Sequence, residues 1–173
     1  MITHRLTQKD NCSAEEIQYI TMPDILYREA TQNDIPFLAA LRAKNRETEI
    51  FWINSITSYI EGTRNPQQAL PSRVLFVAYE GEQIVGFIAG HLTRRYQCDG
   101  ELEWIDVAAT HRRKGIASEL ILVLAKWFID QRAYKICIDP GNDVARKFYY
   151  ANGAAALNDH WMFWNDISTI IGK

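Results

Sequence analysis

The sequence predicts a single α/β domain in which strands and helices follow the order β-α-α-β-β-β-α-β-α-β-β. The chain has 173 residues, the size of one typical domain and enough to bury a hydrophobic core. Short apolar runs bounded by turn residues alternate with longer stretches whose apolar residues recur at helical spacing. No internal repeat or low-complexity segment interrupts this order.

The individual elements follow from local patterns. Pro36 suits the first turn of a helix, where no N–H donor is needed, and Asn33 or Asp34 can cap that helix. Gly62 and Gly153 mark helix ends, because glycine readily adopts the conformation that closes a helix. The predicted elements are strand 25–29, a helix after Asp34, helix 49–61, loop 63–72, strands 74–79, 83–93 and 101–108, helix 115–131, strand 135–138, helix 142–152 and a final hairpin at 157 and 161–164. Residues 1–23 are predicted to be an N-terminal extension and residues 24–173 the domain.

The composition excludes several classes of protein. The net charge of −2 gives no general reason to bind nucleic acid or an anionic membrane. Three widely spaced cysteines (Cys12, Cys98 and Cys137) and four histidines without metal-binding spacing predict neither a disulfide framework nor a metal site. The N-terminus lacks the apolar run of a secretory signal, and the most apolar window, 116–129, is too short to span a bilayer. We therefore expect a cytoplasmic protein.

A basic loop followed by a helix start is the first motif with chemical meaning. Arg112, Arg113 and Lys114 precede a helix that begins at Gly115, with the small Ala117 two positions later. The first N–H groups of a helix lack partners and lie at the positive end of its dipole, so they bind phosphate readily. The small residues leave room for a diphosphate to reach the backbone. On this motif alone, a solvated basic turn remains the alternative interpretation.

A second motif lies on helix 142–152. At about 100° per residue, Asn142 and Tyr149 differ by roughly 20° and lie about two turns apart. An amide and a phenol therefore line one face of the helix, and the small side chain of Ala145 between them leaves space above that face. An elongated ligand could lie along this face. Taken singly, Asn142 is also a good N-cap and Tyr149 could be a half-buried core aromatic.

The two motifs together, in this order, resemble the GNAT superfamily of acetyl-CoA-dependent N-acetyltransferases. Residues 112–117 match its R/Q-x-x-G-x-G/A signature, and residues 142–153 resemble its N-x-x-A-x-x-F-Y-x-x-x-G helix. The resemblance covers about residues 25–164. It implies a GNAT-like fold with a central mixed, mostly antiparallel sheet that is splayed at the acetyl-CoA site.

The resemblance also implies how the co-substrate acetyl-CoA is held, without a metal. Its pyrophosphate would lie on the backbone N–H groups around 113–118. Its pantetheine arm would run beside strand residues 105–107 and hydrogen-bond Asn142. The implied cofactor-binding residues are Ile105, Asp106, Val107, Arg112, Arg113, Lys114, Gly115, Ile116, Ala117, Ser118, Asn142 and Phe148.

The catalytic prediction combines the resemblance with the needs of amide formation by direct attack in a ternary complex. The resemblance places the thioester near Tyr149, whose phenol, with a reference pKa of about 10, can protonate the departing thiolate. Glu101 and Glu103 are the candidate bases for the amine, because they alternate along a strand and share one face. Solvent-facing edge polarity is the alternative for both. Asp106 faces the opposite way in a regular strand and becomes a better candidate only if a bulge resets the register.

The acceptor is predicted only as a primary amine. Acids and aromatic rings in the first two helices and the last hairpin suit a cationic amine, and an ordinary charged surface is the alternative. These residues are Glu47, Glu49, Phe51, Trp52, Tyr59, Asp159, His160 and Trp161. The predicted partners are acetyl-CoA and this amine, with no nucleic acid and no membrane, and a homodimer stays open. A catalytically idle acyl-CoA-binding or regulatory module on the same fold is the alternative function, although simple binding needs no phenol at the thioester.

Overall fold

The computed structural model describes residues 24–44 and 47–172, and within them seven strands and four α-helices form in the predicted order. The predicted extension over residues 1–23 lies outside the described residues. The strands are β1 (Ile25–Glu29), β2 (Ala69–Glu80), β3 (Gln83–Thr93), β4 (Gly100–Val107), β5 (Ile136–Ile138), β6 (Ala155–Ala156) and β7 (Met162–Trp164). The helices are α1 (Ile35–Ala43), α2 (Glu49–Glu61), α3 (Ile116–Asp130) and α4 (Asp143–Ala151).

All seven strands belong to one sheet with the order β1-β2-β3-β4-β5-β7-β6. Every neighbouring pair is antiparallel except β4 and β5, which run parallel and are connected through α3. The mixed, mostly antiparallel sheet is therefore confirmed. The parallel pair lies near the middle of the sheet, where a crossover helix can cover one face.

Two layers of helix cover the two faces of the sheet. The apolar stripe of α3, including Leu120 and Leu124, is buried in the core on one face. Leu38 of α1 and Ile56 of α2 are fully buried on the other. Each such side chain stabilises the fold by roughly 1.5–3 kcal/mol. Close packing of α3 depends on Gly90, where an added Cβ would lie 2.9 Å from Leu124. Among the described residues, no helix is long and apolar enough to cross a membrane.

Two predicted boundaries are wrong. The segment up to Ser72 was expected to be a loop, but β2 already begins at Ala69. Its first residues pair irregularly, with a register shift between Ala69 and Arg73, because Pro71 in this stretch has no N–H to give the ladder. The last hairpin begins at β6 rather than at Leu157, whose N–H instead donates to the Trp161 carbonyl across the turn.

Candidate functional site

A cleft opens where β4 and β5 separate. The two strands pair only between residues 100–102 and 136–138, whereas β4 continues beside β3 to Val107. Beyond residue 138 the chain leaves the sheet and enters α4, so the far half of β4 has no strand on that side. The resulting cavity has a volume of about 860 Å³. The predicted site residues along its wall are Glu101, Glu103, Ile105, Asp106, Val107, Arg112, Ala117, Asn142, Phe148 and Tyr149.

The start of α3 adjoins this cleft and offers unpaired backbone donors. Gly115 is the N-cap, with a φ of 81°, and a Cβ added there would meet no atom within 4 Å. The first helical hydrogen bond runs from the Glu119 N–H to the Gly115 carbonyl, so the N–H groups of residues 116–118 lack a helical partner. The Ile116 side chain is buried in the core, which leaves only its backbone for a ligand. Small residues, open space and free donors fit a phosphate group.

The basic residues before α3 are exposed to solvent. Arg112, Arg113 and Lys114 surround the helix start, and Arg113 has a φ of 62° in the turn. The Nε of Arg112 donates to the Val107 carbonyl at 3.2 Å, which ties this loop to the end of β4. Their positive charge reinforces the helix dipole at the same point.

Helix α4 brings its amide and its phenol to the same cleft. Asn142 and Tyr149 both line the cavity, as their helical spacing predicts. The Oδ1 of Asn142 accepts the Ala145 N–H at 2.9 Å, so the capping interpretation is also correct, and its Nδ2 is the group left to donate to a ligand. Tyr149 is only 4% exposed and packs edge-on against Trp164, with ring centroids 6.0 Å apart.

Burial raises the pKa of the Tyr149 phenol above its ordinary value, and the nearby carboxylates of Asp106 and Asp139 raise it further. The phenol therefore stays protonated at neutral pH, but it is a weaker acid than free tyrosine.

A bulge in β4 determines which acidic side chains lie on the face of the sheet that α1 and α2 cover. Ala89 lies opposite Trp104, but the next residue, Gly90, lies opposite Leu102, so Glu103 is the extra residue. Beyond the bulge the side chains change face: Leu102 packs in the α3 core, whereas Trp104 packs against the α1 and α2 core. The bulge therefore resets the register, and Asp106 does not face away from Glu101 as it would in a regular strand. Asp106 forms an ion pair with Arg42 of α1, on the same face as Glu101.

The two glutamates come together as predicted, but in different surroundings. Glu101 is 4% exposed, and its carboxylate accepts a hydrogen bond from Arg95 Nε at 3.0 Å. Glu103 is half-buried, and no hydrogen bond or ion pair joins its carboxylate to another described residue. Burial raises the pKa of Glu103, and the charge of Glu101 adds to this effect. Edge polarity is therefore the wrong interpretation for this pair, because β4 is central in the sheet.

His91 completes a cluster with these two acids. The potential ligand atoms of His91, Glu101 and Glu103 all lie within 4.8 Å of one another, a set that could in principle hold a cation. However, the guanidinium of Arg95 already binds the Glu101 carboxylate and would repel a divalent ion. We therefore assign no metal to this cluster.

A second cavity of about 310 Å³ adjoins the cleft and shares Pro66, Glu103 and Trp104 with it. Its other walls include the aromatic rings of Phe51, Trp52 and Tyr59 from α2. These rings were among the predicted acceptor residues, and Trp161 lines the main cleft. Neither cavity is lined by the exposed residues Glu47, Glu49, Asp159 and His160.

Three site residues had no signal in the sequence. Arg42 lies over the Trp52 ring, 4.2 Å from its centroid, and reaches Asp106 across 64 positions of sequence. His91 lies inside an apolar strand, and Arg95 follows that strand in a short polar connection. Only the folded sheet brings these side chains to one place.

Residues 39–154 match the sequence model of the Acetyltransferase (GNAT) family. The chain belongs to the GNAT family. The match includes both motifs and the whole of the splayed region between them. A search of the curated proteins finds no match.

Solved GNAT structures share the fold. The PaiA N-acetyltransferase from Thermoplasma acidophilum, in complex with coenzyme A, is 15% identical, with a TM-score of 0.60 over 83% of this chain and 99% of that one. An aminoglycoside 6'-N-acetyltransferase from Acinetobacter haemolyticus is 17% identical, with a TM-score of 0.65 over 78% and 93%. A spermidine N-acetyltransferase mutant from Vibrio cholerae is 15% identical, with a TM-score of 0.60 over 86% and 96%. At these identities the likeness concerns the fold.

Proposed function

We propose that this GNAT protein transfers the acetyl group of acetyl-CoA to a primary amine by direct attack in a ternary complex. The observation that carries the proposal is the meeting, in one cleft, of a helix start suited to phosphate, a buried phenol and a half-buried carboxylate. A simple binding module needs the first of these but not the other two.

The pyrophosphate binds at the start of α3. Its negative charge meets the unpaired N–H groups of residues 116–118 and the side chains of Arg112, Arg113 and Lys114. The pantetheine arm lies along Ile105–Val107, at the edge that β5 leaves uncovered. On the opposite wall, Asn142 Nδ2 and Phe148 contact the arm.

Glu103 is the base that we assign to the acceptor amine. Its carboxylate faces both cavities and has no described partner, so it can accept a proton from an ammonium group in the smaller one. Glu101 forms an ion pair with Arg95 and adds a second negative charge next to Glu103. The amine becomes nucleophilic once its proton has moved to a Glu103 oxygen.

Tyr149 is the acid that we assign to the leaving thiolate. Tyr149 lines the cleft on the wall opposite β4, and burial keeps its phenol protonated at working pH. As the carbon–sulfur bond breaks, the phenol proton moves to the sulfur, and the phenolate takes up the excess proton of the attacking nitrogen, which becomes the neutral amide.

The acceptor is a cationic amine bound in the smaller cavity. Aromatic faces from Trp52, Tyr59 and Trp104 and the carboxylate of Glu103 attract an ammonium group. Structures with this fold include enzymes named for spermidine and for aminoglycosides, both of which carry several amines. This likeness supports a cationic acceptor and does not select one.

Calorimetric titration with acetyl-CoA, followed by a thiol-release assay over a panel of amines, tests the proposal. We expect saturable binding and release of coenzyme A that depends on the amine, together with an acetylated product in mass spectrometry. Binding without turnover on any amine would instead favour the idle acyl-CoA-binding module. Absence of binding would contradict both functions.

A further inference from the structure

His91 is a buried titratable residue that the proposed chemistry does not use. It lies on β3, is 0% exposed, and its Nδ1 is 3.1 Å from the hydroxyl of Tyr59. Its Nε2 is also buried and has no hydrogen-bond partner in the described part of the chain. A buried polar atom without a partner is costly, so its position requires an explanation.

The unpaired nitrogen faces the two glutamates of β4. Nε2 lies 3.7 Å from Glu101 Oε2, and the potential ligand atoms of His91, Glu101 and Glu103 lie within 4.8 Å of one another. The two carboxylates beside Nε2 favour a ring that carries a proton on each nitrogen. Nδ1–H then donates to the Tyr59 oxygen, and Nε2–H is directed toward the carboxylates.

Such an imidazolium balances the charges of the site. The two carboxylates, Glu101 and Glu103, then face two cations, His91 and Arg95. The Nε of Arg95 donates a hydrogen bond to Glu101 at 3.0 Å, so the charge of Arg95 mainly compensates that carboxylate. The second carboxylate, Glu103, lies in one cluster with the buried His91, whose potential ligand atom is within 4.8 Å.

We propose that His91 is a positioning residue for the general base: as an imidazolium beneath the acceptor cavity, it keeps Glu103 in its carboxylate form. This inference rests on the proposed function, in which the acceptor ammonium gives one proton to a Glu103 oxygen. His91 itself neither gains nor loses a proton in that step. Tyr59, which lines the acceptor cavity, fixes the orientation of the imidazole ring.

Other charges near Glu103 act in both directions. Burial is the main cause that raises its pKa, and Glu101 raises it too, whereas His91, Arg42 and Arg95 lower it. Of these cations, Arg42 comes from α1 and is paired with Asp106, and Arg95 is bonded to Glu101. From β2, Arg73 lies over the Tyr59 ring, 5.0 Å from its centroid. Substitution of His91 is therefore the most direct test of how a neighbouring cation affects Glu103.

The pH dependence of kcat/KM in wild type and His91→Gln tests the inference. Loss of the imidazolium removes a positive neighbour, so Glu103 is protonated at higher pH and the acidic limb moves upward, by about one pH unit. The variant then loses roughly tenfold more activity on the acidic limb than on the plateau. The control is Ile56→Val, which removes a buried methylene from α2 without changing any charge. We expect it to lower the melting temperature and leave the limb in place.

A direct titration of the Glu103 carboxyl carbon by NMR separates this inference from the proposed function. The Glu103 titration should move upward in His91→Gln even if no amine in the panel is acetylated. If His91→Gln does not fold, Tyr59→Phe removes the oxygen that accepts Nδ1–H and should move the same titration upward by a smaller amount. The proposal would be overturned if a folded His91→Gln variant had a lower melting temperature but the same Glu103 titration and the same acidic limb as wild type. His91 would then be a structural residue.

Discussion

The cleft has two sides that are built differently. The cofactor wall, formed by residues 112–118 and by α4, uses residues close together in sequence and is largely exposed. The donors that we propose for a ligand there are backbone N–H groups at a helix start. The acceptor floor, formed by β3, β4, α1 and α2, uses buried side chains from distant segments.

This difference separates a site that a short motif can form from a site that depends on the whole fold. Backbone donors recognise a phosphate in the same way whatever the neighbouring side chains are, so a short motif of small residues is enough. In our proposal, the acceptor floor recognises its ligand through aromatic rings and a few charges, for example Trp52 and Glu103. Changes on this floor can therefore alter the acceptor while the cofactor wall stays intact.

The largest expected effect concerns the phenol between the two sides. Tyr149→Phe should lower turnover by roughly 10²-fold or more with acetyl-CoA affinity near wild type, because only the proton donor is lost. The loss should grow toward high pH, where other proton sources are scarce. Tyr150→Phe is the matched control, since Tyr150 is the next residue of α4 and is 47% exposed. Near-normal turnover of Tyr149→Phe would mean that water or the acceptor protonates the thiolate.

The next effect distinguishes the two acids of the acceptor floor. Glu103→Gln should lower turnover by about tenfold to 10²-fold. In wild type the free base is lost as the pH falls through the raised pKa of Glu103, and this limb should disappear in the variant.

Glu101→Gln should act mainly on stability, because it leaves the Arg95 guanidinium without a carboxylate partner. We expect a loss of about 1–3 kcal/mol in the free energy of unfolding, measured with urea. A larger loss of turnover in Glu101→Gln than in Glu103→Gln would reverse the assignment of the base.

A smaller effect tests the cofactor wall. Gly115→Glu should weaken acetyl-CoA binding at least tenfold, about 1.4 kcal/mol, because it places a negative charge where the pyrophosphate approaches. Gly115→Ala is the control, since both variants share the backbone strain of a φ of 81° and only one adds charge. Calorimetry measures both affinities. Equal affinities in the two folded variants would place the phosphate elsewhere.

The smallest effect on activity is expected outside both sides, at the start of α1. Arg28 donates two hydrogen bonds to Asp34, at 2.7 and 2.9 Å, and lowers the pKa of Asp34 to about 2. This carboxylate therefore stabilises the fold above its unfolded pKa of about 3.9, and the contribution is lost as the pH falls toward 2.

Asp34→Asn should cost about 1 kcal/mol of unfolding free energy at pH 7, a modest value because the Arg28 side chain is 41% exposed. The difference from wild type should shrink between about pH 4 and about pH 2. Turnover should not change, as a thiol-release assay can verify. A constant difference at every pH would show that the ion pair contributes nothing.

The order of the elements, and the residues that we assign to the cofactor wall, follow from local signals in the sequence. Gly62 ends α2 in a left-handed conformation, Asn142 caps α4, and helical geometry alone puts Asn142 and Tyr149 on one face. A feature encoded by residues a few positions apart can be read from the chain, because the geometry of one helix connects them.

The acceptor floor depends on contacts that form only in the folded protein. The bulge at Glu103 places Asp106 on the same face as Glu101, and no local pattern announces it, since a bulge depends on how β4 pairs with β3. The contacts of His91 with Tyr59 and of Arg42 with Asp106 join residues 32 and 64 positions apart. Such contacts exist only after the sheet has formed and the helices have packed on it, and for this reason the charges and the acceptor cavity had to be found in the fold.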